Sequence, residues 1–459
     1  MAGIGFVLRQ LSRQENLLGF ARSFAHSTFA SAGPWLFTVC ALSAITTLSI
    51  PLTKMIDVDN FRLIIIYNFA FTLVLCSPVL MTQTRFLADS LYIRDVSGSI
   101  GLLIGSTMVL FAVQLPLATC FYFFYANLSL FTTLSAIANY MAIIVIWPVA
   151  VFLTALKDYT AVSSAFAVGL AIAILLAGYL APSGVDGVLC GFTVGLIITS
   201  SVLIGRVFAE YPFRPKKLFA FLPYFRKHKY VFFTGVTSGI AIWIDKWIMW
   251  LFAPEAEQAQ NNLITYPNYD SAMFLSYLTI VPSMAAFMLV VETDFFESYR
   301  KFFRDIQQKA TLGKIEQNHR NIMVDIYRGG RTILLVQISV TLIAVGIAPG
   351  LFEALGINFL QLSIFRFGAI GACFQTFANF MIILLSYFNH IKAMFWLYTF
   401  FMITNGLFTA ILLPLGFPFY GLGFALSNIA TFLLAGYTMI RYAADLPYHT
   451  FVTSNTSVQ

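Results

Sequence analysis

Apolar residues in this chain neither alternate nor gather into short core-sized patches; they run. Stretches of roughly 20 residues with almost no charge recur from one end to the other, the length a helix needs to cross a bilayer's hydrocarbon core. A membrane β-barrel would read as alternating segments of about 10 residues, and these runs do not alternate. The breaks between runs predict twelve spans. The first six lie at about 23–50, 61–83, 100–124, 129–154, 160–181 and 187–209. The second six lie at about 231–252, 269–291, 332–349, 363–386, 394–415 and 421–441, the ninth being short. The expected fold class is all-α, a polytopic membrane protein of about 12 transmembrane helices.

The segments between runs set the domain plan. Ile4, Val7, Leu8, Leu11 and Leu18 follow helical spacing, so residues 1–22 read as an interfacial amphipathic segment lying on the membrane. The run from Ser23 to Ile50 is too long for a signal-peptide core. Between spans six and seven, 206-RVFAEYPFRPKKLFAFLPYFRKHKY-230 carries seven basic residues and three prolines. It divides the chain into six-helix halves, as in two-lobed transporters. The plan is an N-terminal lobe at 23–210, a basic linker at 211–230, a C-terminal lobe at 231–441 and a tail at 442–459. The longest loop, 292–331, opens with 292-ETDFFESYRKFFRDI-306. There Phe295, Tyr299, Phe302 and Ile306 share one helix face, widened by Phe296 and Phe303. Asp294 and Glu297 have the spacing of an N-terminal cap, and Arg300, Lys301 and Arg304 follow as the helix dipole favours. This helix is either an interfacial anchor or a docking surface for a cytoplasmic partner, through Phe295, Tyr299, Arg300, Lys301, Phe302 and Arg304.

Composition agrees: 59% of residues are hydrophobic and 10% charged, where a soluble protein is about a quarter charged. Charge placement adds an orientation. Of the 27 Lys and Arg residues, 23 fall in loops or tails on the side that carries both termini. Lys54, Arg62 and Arg366 lie on the other side, and Lys246 lies inside a span. Both termini are therefore expected in the cytoplasm. The five cysteines all sit in apolar runs without a CxxC pair and read as buried small hydrophobes. The five histidines lie far apart, so no metal site is expected. There is no GxxxxGK[ST], HExxH or GxSxG, and the loops are too small for a catalytic domain. No enzyme activity, cofactor or nucleic-acid partner is expected.

Polar residues inside spans then carry the function. In 239-GIAIWIDKWIMW-250, Asp245 and Lys246 stand side by side in an apolar helix. A lone charge at the bilayer centre costs about 2.5–3.5 kcal/mol on insertion scales, so such residues face a cavity or a partner. Counted from residue 231 at about 1.5 Å per residue, Asp245 lies roughly 21 Å along, past the midplane. Thr234, Ser238, Ala241 and Asp245 form one small, polar stripe; Trp243, Trp247 and Trp250 form another, roughly opposite. Lys246 sits about 100° round from Asp245. Adjacent helix residues diverge, so each charge is expected to have a partner other than its neighbour. The alternative is that Lys246 snorkels outward while Asp245 caps or pairs locally, with Trp250 in an interfacial belt. Arg366, early in span ten, is a second candidate, and Trp35, in the sequence Gly33-Pro34-Trp35 of span one, could stack on a sugar ring. The expected substrate-cavity residues are Asp245, Lys246, Ser238, Trp35 and Arg366. Asn68, Gln114, Asn139, Gln375, Asn379, Asn405 and Asn428 either line a polar path or act as interhelical glue.

Four segments, 3-GIGF-6, 32-AGPW-35, 243-WIDKW-247 and 292-ETDFFESYRKFFRDI-306, resemble the PelG family, inner-membrane transporters of the Pel exopolysaccharide system, and the likeness spans essentially the whole chain. The resemblance implies the multidrug/oligosaccharidyl-lipid/polysaccharide exporter superfamily, with two six-helix lobes around a central cavity lined by spans one and seven. It also implies a polysaccharide cargo, a cytoplasmic glycosyltransferase and other membrane subunits, a cyclic-di-GMP receptor among them. A Pel-type polymer carrying positive charge would meet Asp245; an anionic one would meet Lys246. Two other readings remain open at this stage. One is a drug/cation antiporter, against which stands the absence of Asp and Glu from residues 23–50. The other is a non-transporting scaffold that recruits a synthase.

Overall fold

The computed structural model describes residues 17–156, 159–259, 261–291, 295–354 and 356–453. Most of the expected surface helix 1–22, Lys157, Glu292, the capping Asp294 and the end of the tail lie outside these residues. Among the described residues, 12 helices are long and apolar enough to cross a membrane, and they coincide with the twelve apolar runs. The chain divides into two compact units, Gly33–Tyr266, and Met1–Ala32 with Pro267–Gln459.

The first unit takes α1 (Leu17–Ser49) from Gly33 onward, so residues 17–22, expected on the membrane surface, already belong to a long helix. It continues with α2 (Met55–Ile93), α3 (Ser99–Cys120, running on as a π-turn over Phe121–Tyr125), α4 (Leu130–Leu156) and α5 (Tyr159–Leu180). It ends with α6 (Val185–Glu210), the short α7 (Leu222–Lys227), α8 (Lys229–Phe252) and an antiparallel hairpin, β1 (Glu257–Gln258) with β2 (Ile264–Thr265). At 39 residues α2 is about 58 Å long, well beyond the roughly 30 Å of hydrocarbon it must cross. Helices α5 and α6 meet backbone to backbone. A Cβ added at Gly187, Gly191 or Gly195, spaced by four, would lie 2.0 Å from Leu180 O, 2.4 Å from Ala177 N and 2.4 Å from Ala173 Cβ. Such small-residue seams let membrane helices gain dispersion contact where no hydrophobic effect drives association.

Span seven belongs to this first unit, so the unit boundary falls at Tyr266/Pro267, one span beyond the basic linker where the sequence divides the chain. The contact that holds it is a graded one between α8 and α2. A Cβ at Gly235 would lie 2.6 Å from Pro78 Cα, and one at Gly239 would lie 3.2 Å from Val74 Cα. Further along, large rings replace these glycines: Trp247 stacks on Phe71 at 5.7 Å and Trp250 on Tyr67 at 5.1 Å. Several buried amides of the unit satisfy one another. Asn68 donates to the Asn139 side chain (2.9 Å) and to Ala136 O (3.1 Å), Asn139 donates to Thr193 Oγ1 (3.0 Å), and Tyr140 donates to Gln114 Oε1 (2.8 Å). These residues are interhelical glue.

In the second unit α9 (Pro267–Leu278) and α10 (Val281–Val290) make span eight, broken ahead of Pro282. They are followed by α11 (Phe296–Gln307), α12 (Leu312–Ala354), α13 (Gln361–Tyr387), α14 (Ile391–Leu412), α15 (Leu422–Ala444) and the single turn α16 (Leu446–Tyr448). The expected long loop 292–331 is mostly helical, and the short ninth span is part of a 43-residue helix. The apolar run stops at Arg331, whereas the helix continues back to Leu312 on protein contacts. Ile315, Asn318, Ile322, Gly329 and Ile333 are buried along one of its faces.

Candidate functional site

Helix α8 is 24 residues long, about 36 Å, and sets Asp245 and Lys246 beyond its midpoint. Both are withdrawn from solvent, Asp245 fully and Lys246 to 7% exposure. Although adjacent helix residues diverge, the two pair with each other. The Lys246 ammonium donates to Asp245 Oδ2 at 3.2 Å and Oδ1 at 3.3 Å, and to Ile242 O at 3.1 Å. Their Cα–Cβ bonds diverge, but the four-carbon lysine stem folds back along the helix and closes the gap. The distances exceed the 2.7–2.9 Å usual for charge-assisted hydrogen bonds, so the pair is loosely held.

The tryptophans complete the surroundings. The Lys246 ammonium lies 5.8 Å from the centre of the Trp243 ring, a cation–π contact. Trp250 is buried in the ladder against Tyr67, not set in an interfacial belt, because α2 extends far enough to cover it. The ladder extends through Phe121, stacked on Tyr67 at 5.7 Å, and Phe121 lies 5.4 Å from Tyr125. The Tyr67 hydroxyl donates to Ile264 O (2.7 Å) and accepts from Ile264 N–H (3.0 Å), fixing the β-hairpin over this end of α2. Within this packed region the indole nitrogens of Trp243 and Trp247 are buried, and among the described residues neither N–H meets an acceptor. A buried unmade donor costs about 1–3 kcal/mol, so this end of α8 holds two hydrogen-bonding groups in reserve next to a loose ion pair.

The other expected cavity residues are less concentrated. Ser238 turns its hydroxyl to its own helix, donating to Gly235 O at 3.2 Å. Trp35 is half-buried in α1, one position after Pro34. Arg366 is exposed in the second turn of α13, in the other unit. Sequence reasoning passed over Tyr67 and Phe71 as partners of the tryptophans. Their i, i+4 spacing on an apolar helix marks an aromatic face, but nothing in the spacing says which helix it meets.

The amphipathic segment needs a correction. Phe295 and Phe302 are 1% and 0% exposed and lie in the core of the second unit, so the apolar face is free neither for lipid nor for a partner. Phe295 packs 5.3 Å from Tyr387, and the Tyr299 hydroxyl donates to Tyr387 O at 2.9 Å. The reason is the overhang of α12, which offers a protein surface to α11. Arg300, Lys301 and Arg304 point outward.

The family model described as "Putative exopolysaccharide Exporter (EPS-E)", PelG, matches residues 1–451. The chain belongs to the PelG family. No curated protein matches it. Solved structures share the fold at low identity. A MOP superfamily transporter from Pyrococcus furiosus aligns with a TM-score of 0.64 at 13% identity, over 92% of this chain and 96% of that one. A MATE transporter in complex with MaL6 gives 0.65 at 13% identity, over 92% and 97%. An outward-facing multidrug resistance MATE family transporter gives 0.62 at 12% identity, over 93% and 96%. The PelG protein is thus a multi-pass membrane transporter of the exporter class, with a MATE-type fold, and not an enzyme.

Proposed function

We propose that this PelG protein exports an exopolysaccharide, or its lipid-linked precursor, from the cytoplasm across the bacterial inner membrane by alternating access. The observation that carries the reading is the family match over residues 1–451. The fold alone also fits a drug antiporter; membership of a family described as "Putative exopolysaccharide Exporter" favours the first reading. MATE-type relatives have been captured in outward-facing and inward-facing forms, which supports a two-state cycle on this fold. The charge distribution favours both termini and the basic loops in the cytoplasm. A cytoplasmic glycosyltransferase would supply the polymer, alongside other membrane subunits of a synthase.

In this reading Asp245 and Lys246 contact the cargo. Paired, they present no net charge to a low-dielectric surrounding. A passing sugar chain exchanges with the pair: its hydroxyl or anionic oxygens accept from Lys246, cationic or hydroxyl groups donate to Asp245, and the indole N–H groups of Trp243 and Trp247 supply further donors. Ser238 and Trp35, in the same unit as the pair, are secondary members of this path, and Arg366 is a separate candidate in the other unit. Removing one partner of a buried ion pair costs about 3–5 kcal/mol by leaving the other charge bare. A fair test therefore compares single with double neutralisation. Asp245→Asn with Lys246→Gln together should give wild-type amounts of inserted protein and at least tenfold less secreted polymer. Normal secretion by correctly inserted Asp245→Ala and Lys246→Ala proteins would remove the pair from the transport path.

A further inference from the structure

Helix α11 and the start of α12 form a hairpin whose inner face is packed and pinned. Asp305, almost fully buried, accepts from Asn318 Nδ2 at 3.0 Å and pairs with Lys314 at 3.3 Å and Arg304 at 3.5 Å. Ser298 donates to Asp325 (2.5 Å), and the His319 imidazole hydrogen-bonds to Ala443 O (2.8 Å). The outer face exposes Arg300, Lys301, Arg304, Lys309, Lys314 and Arg320. Among the described residues Arg300, Lys301, Lys309 and Arg320 have no carboxylate partner.

Height above the membrane decides what these charges can meet. Residues 332–352 carry no charge and are enough to cross the hydrocarbon. Counting back along α12 at about 1.5 Å per residue, Arg320 stands up to about 18 Å outside that segment and Lys314 up to about 27 Å. Arg304 is level with them through its shared contact with Asp305. The headgroup layer is only about 5–8 Å deep, and salt screens charge over about 8 Å. Lipid phosphates are therefore too far from Lys314 and Arg320 to serve as their counter-ions. Leu312, 66% exposed at the tip, offers an apolar contact beside the bases that a protein surface can cover.

We propose that the α11–α12 hairpin is a docking platform for an acidic face of a cytoplasmic protein, engaged by the basic row from Arg300 to Arg320. The proposal rests on the orientation given in the exporter reading. Because the hairpin is already rigid, binding orders little of it and the surface acts through preformed charge complementarity.

The test is photocrosslinking from a reactive residue placed at Gln308 or Gln317 of the full chain in its native membrane. The expected result is one protein adduct whose crosslinked peptide is rich in Asp and Glu. Its yield should fall at least tenfold in the triple variant R300E/K301E/R304E and in 0.5 M salt. It should return when the acids of that peptide are exchanged for Lys. An adduct with lipid alone, an adduct removed by ribonuclease, no adduct at all, or a yield indifferent to charge reversal overturns the proposal. The adduct should persist in the Asp245→Asn/Lys246→Gln protein. Secretion by wild type without any adduct therefore refutes docking and leaves export standing. Modification of a cysteine at Lys309 from outside the cell instead refutes the orientation.

Discussion

Lys246 and Asp305 separate what residue spacing discloses from what it leaves open. Position along the run put Asp245 and Lys246 past the membrane midplane, and wheel geometry put Asp245 with small residues. The bond between them depended on a rotamer of a flexible stem, and no periodicity encodes that. Asp305 reads in the sequence as one more charge in an amphipathic helix; its burial follows from the face of α12 that lies across it. Its pKa is held below the ordinary carboxylate value, first by the Asn318 hydrogen bond and then by Lys314 and Arg304. A depressed folded pKa means that the unfolded hairpin takes up a proton at a higher pH than the folded one. The stabilisation is complete above about pH 4, the unfolded value, and is lost as pH falls through the folded value. Protection factors of amides in 296–322 should therefore drop as pH is lowered from about 5 towards 3. In Asp305→Asn, which cannot titrate, they should start lower and change little; equal pH dependence in both proteins would contradict the assignment.

At the scale of elements, the spans were legible because lipid imposes a length and forbids charge, so composition and position suffice. Beyond the membrane, the spacing of Phe295, Tyr299, Phe302 and Ile306 gave the helix α11, but not what it packs against. The α11–α12 hairpin, the π-turn after α3 and the β-hairpin after α8 depend on tertiary contacts that hydropathy does not record. The seam between α5 and α6 lies between these cases. The four-residue spacing of Gly187, Gly191 and Gly195 is visible in the chain, but only the packing shows that all three face Leu180, Ala177 and Ala173. Overpacking a core costs about 1–3 kcal/mol, and this site is tighter than most, with Gly169 O also 2.6 Å from the position of a Cβ at Gly195. Gly195→Leu should lower the melting temperature of the detergent-solubilised protein by several degrees or abolish its monodisperse peak in size exclusion. Gly205→Leu, on the same helix with no atom within 4 Å of the added Cβ, should leave both unchanged. Equal effects at the two positions would mean that the seam does not hold the helices.

For the whole molecule, charge predicts an orientation, and its distribution is one-sided. With 23 of 27 basic residues on one face of the predicted topology, a miscount at span seven or eight would put the clusters at 206–229 and 300–331 on opposite faces. The structure keeps the count at 12 while moving element ends, so the parity that unites the clusters survives. Sequence could not have given the grouping of spans. The basic linker marks a change of loop chemistry, whereas the unit boundary follows the contact of Gly235 and Gly239 with α2, which closes only in three dimensions. Orientation can be read directly. With the five native cysteines replaced, Lys309→Cys at the tip of the α11–α12 hairpin should resist a membrane-impermeant maleimide in intact cells and react fully in inverted vesicles. Gln258→Cys, in the β-hairpin after α8, should do the opposite. Spans eight and the α11 turn separate the two sites, so they must lie on opposite faces if α9 and α10 together cross the membrane once. Labelling of both from the same side would break the span count. Reversed labelling of both would keep the count and overturn the charge rule for this protein, placing the basic platform outside the cell.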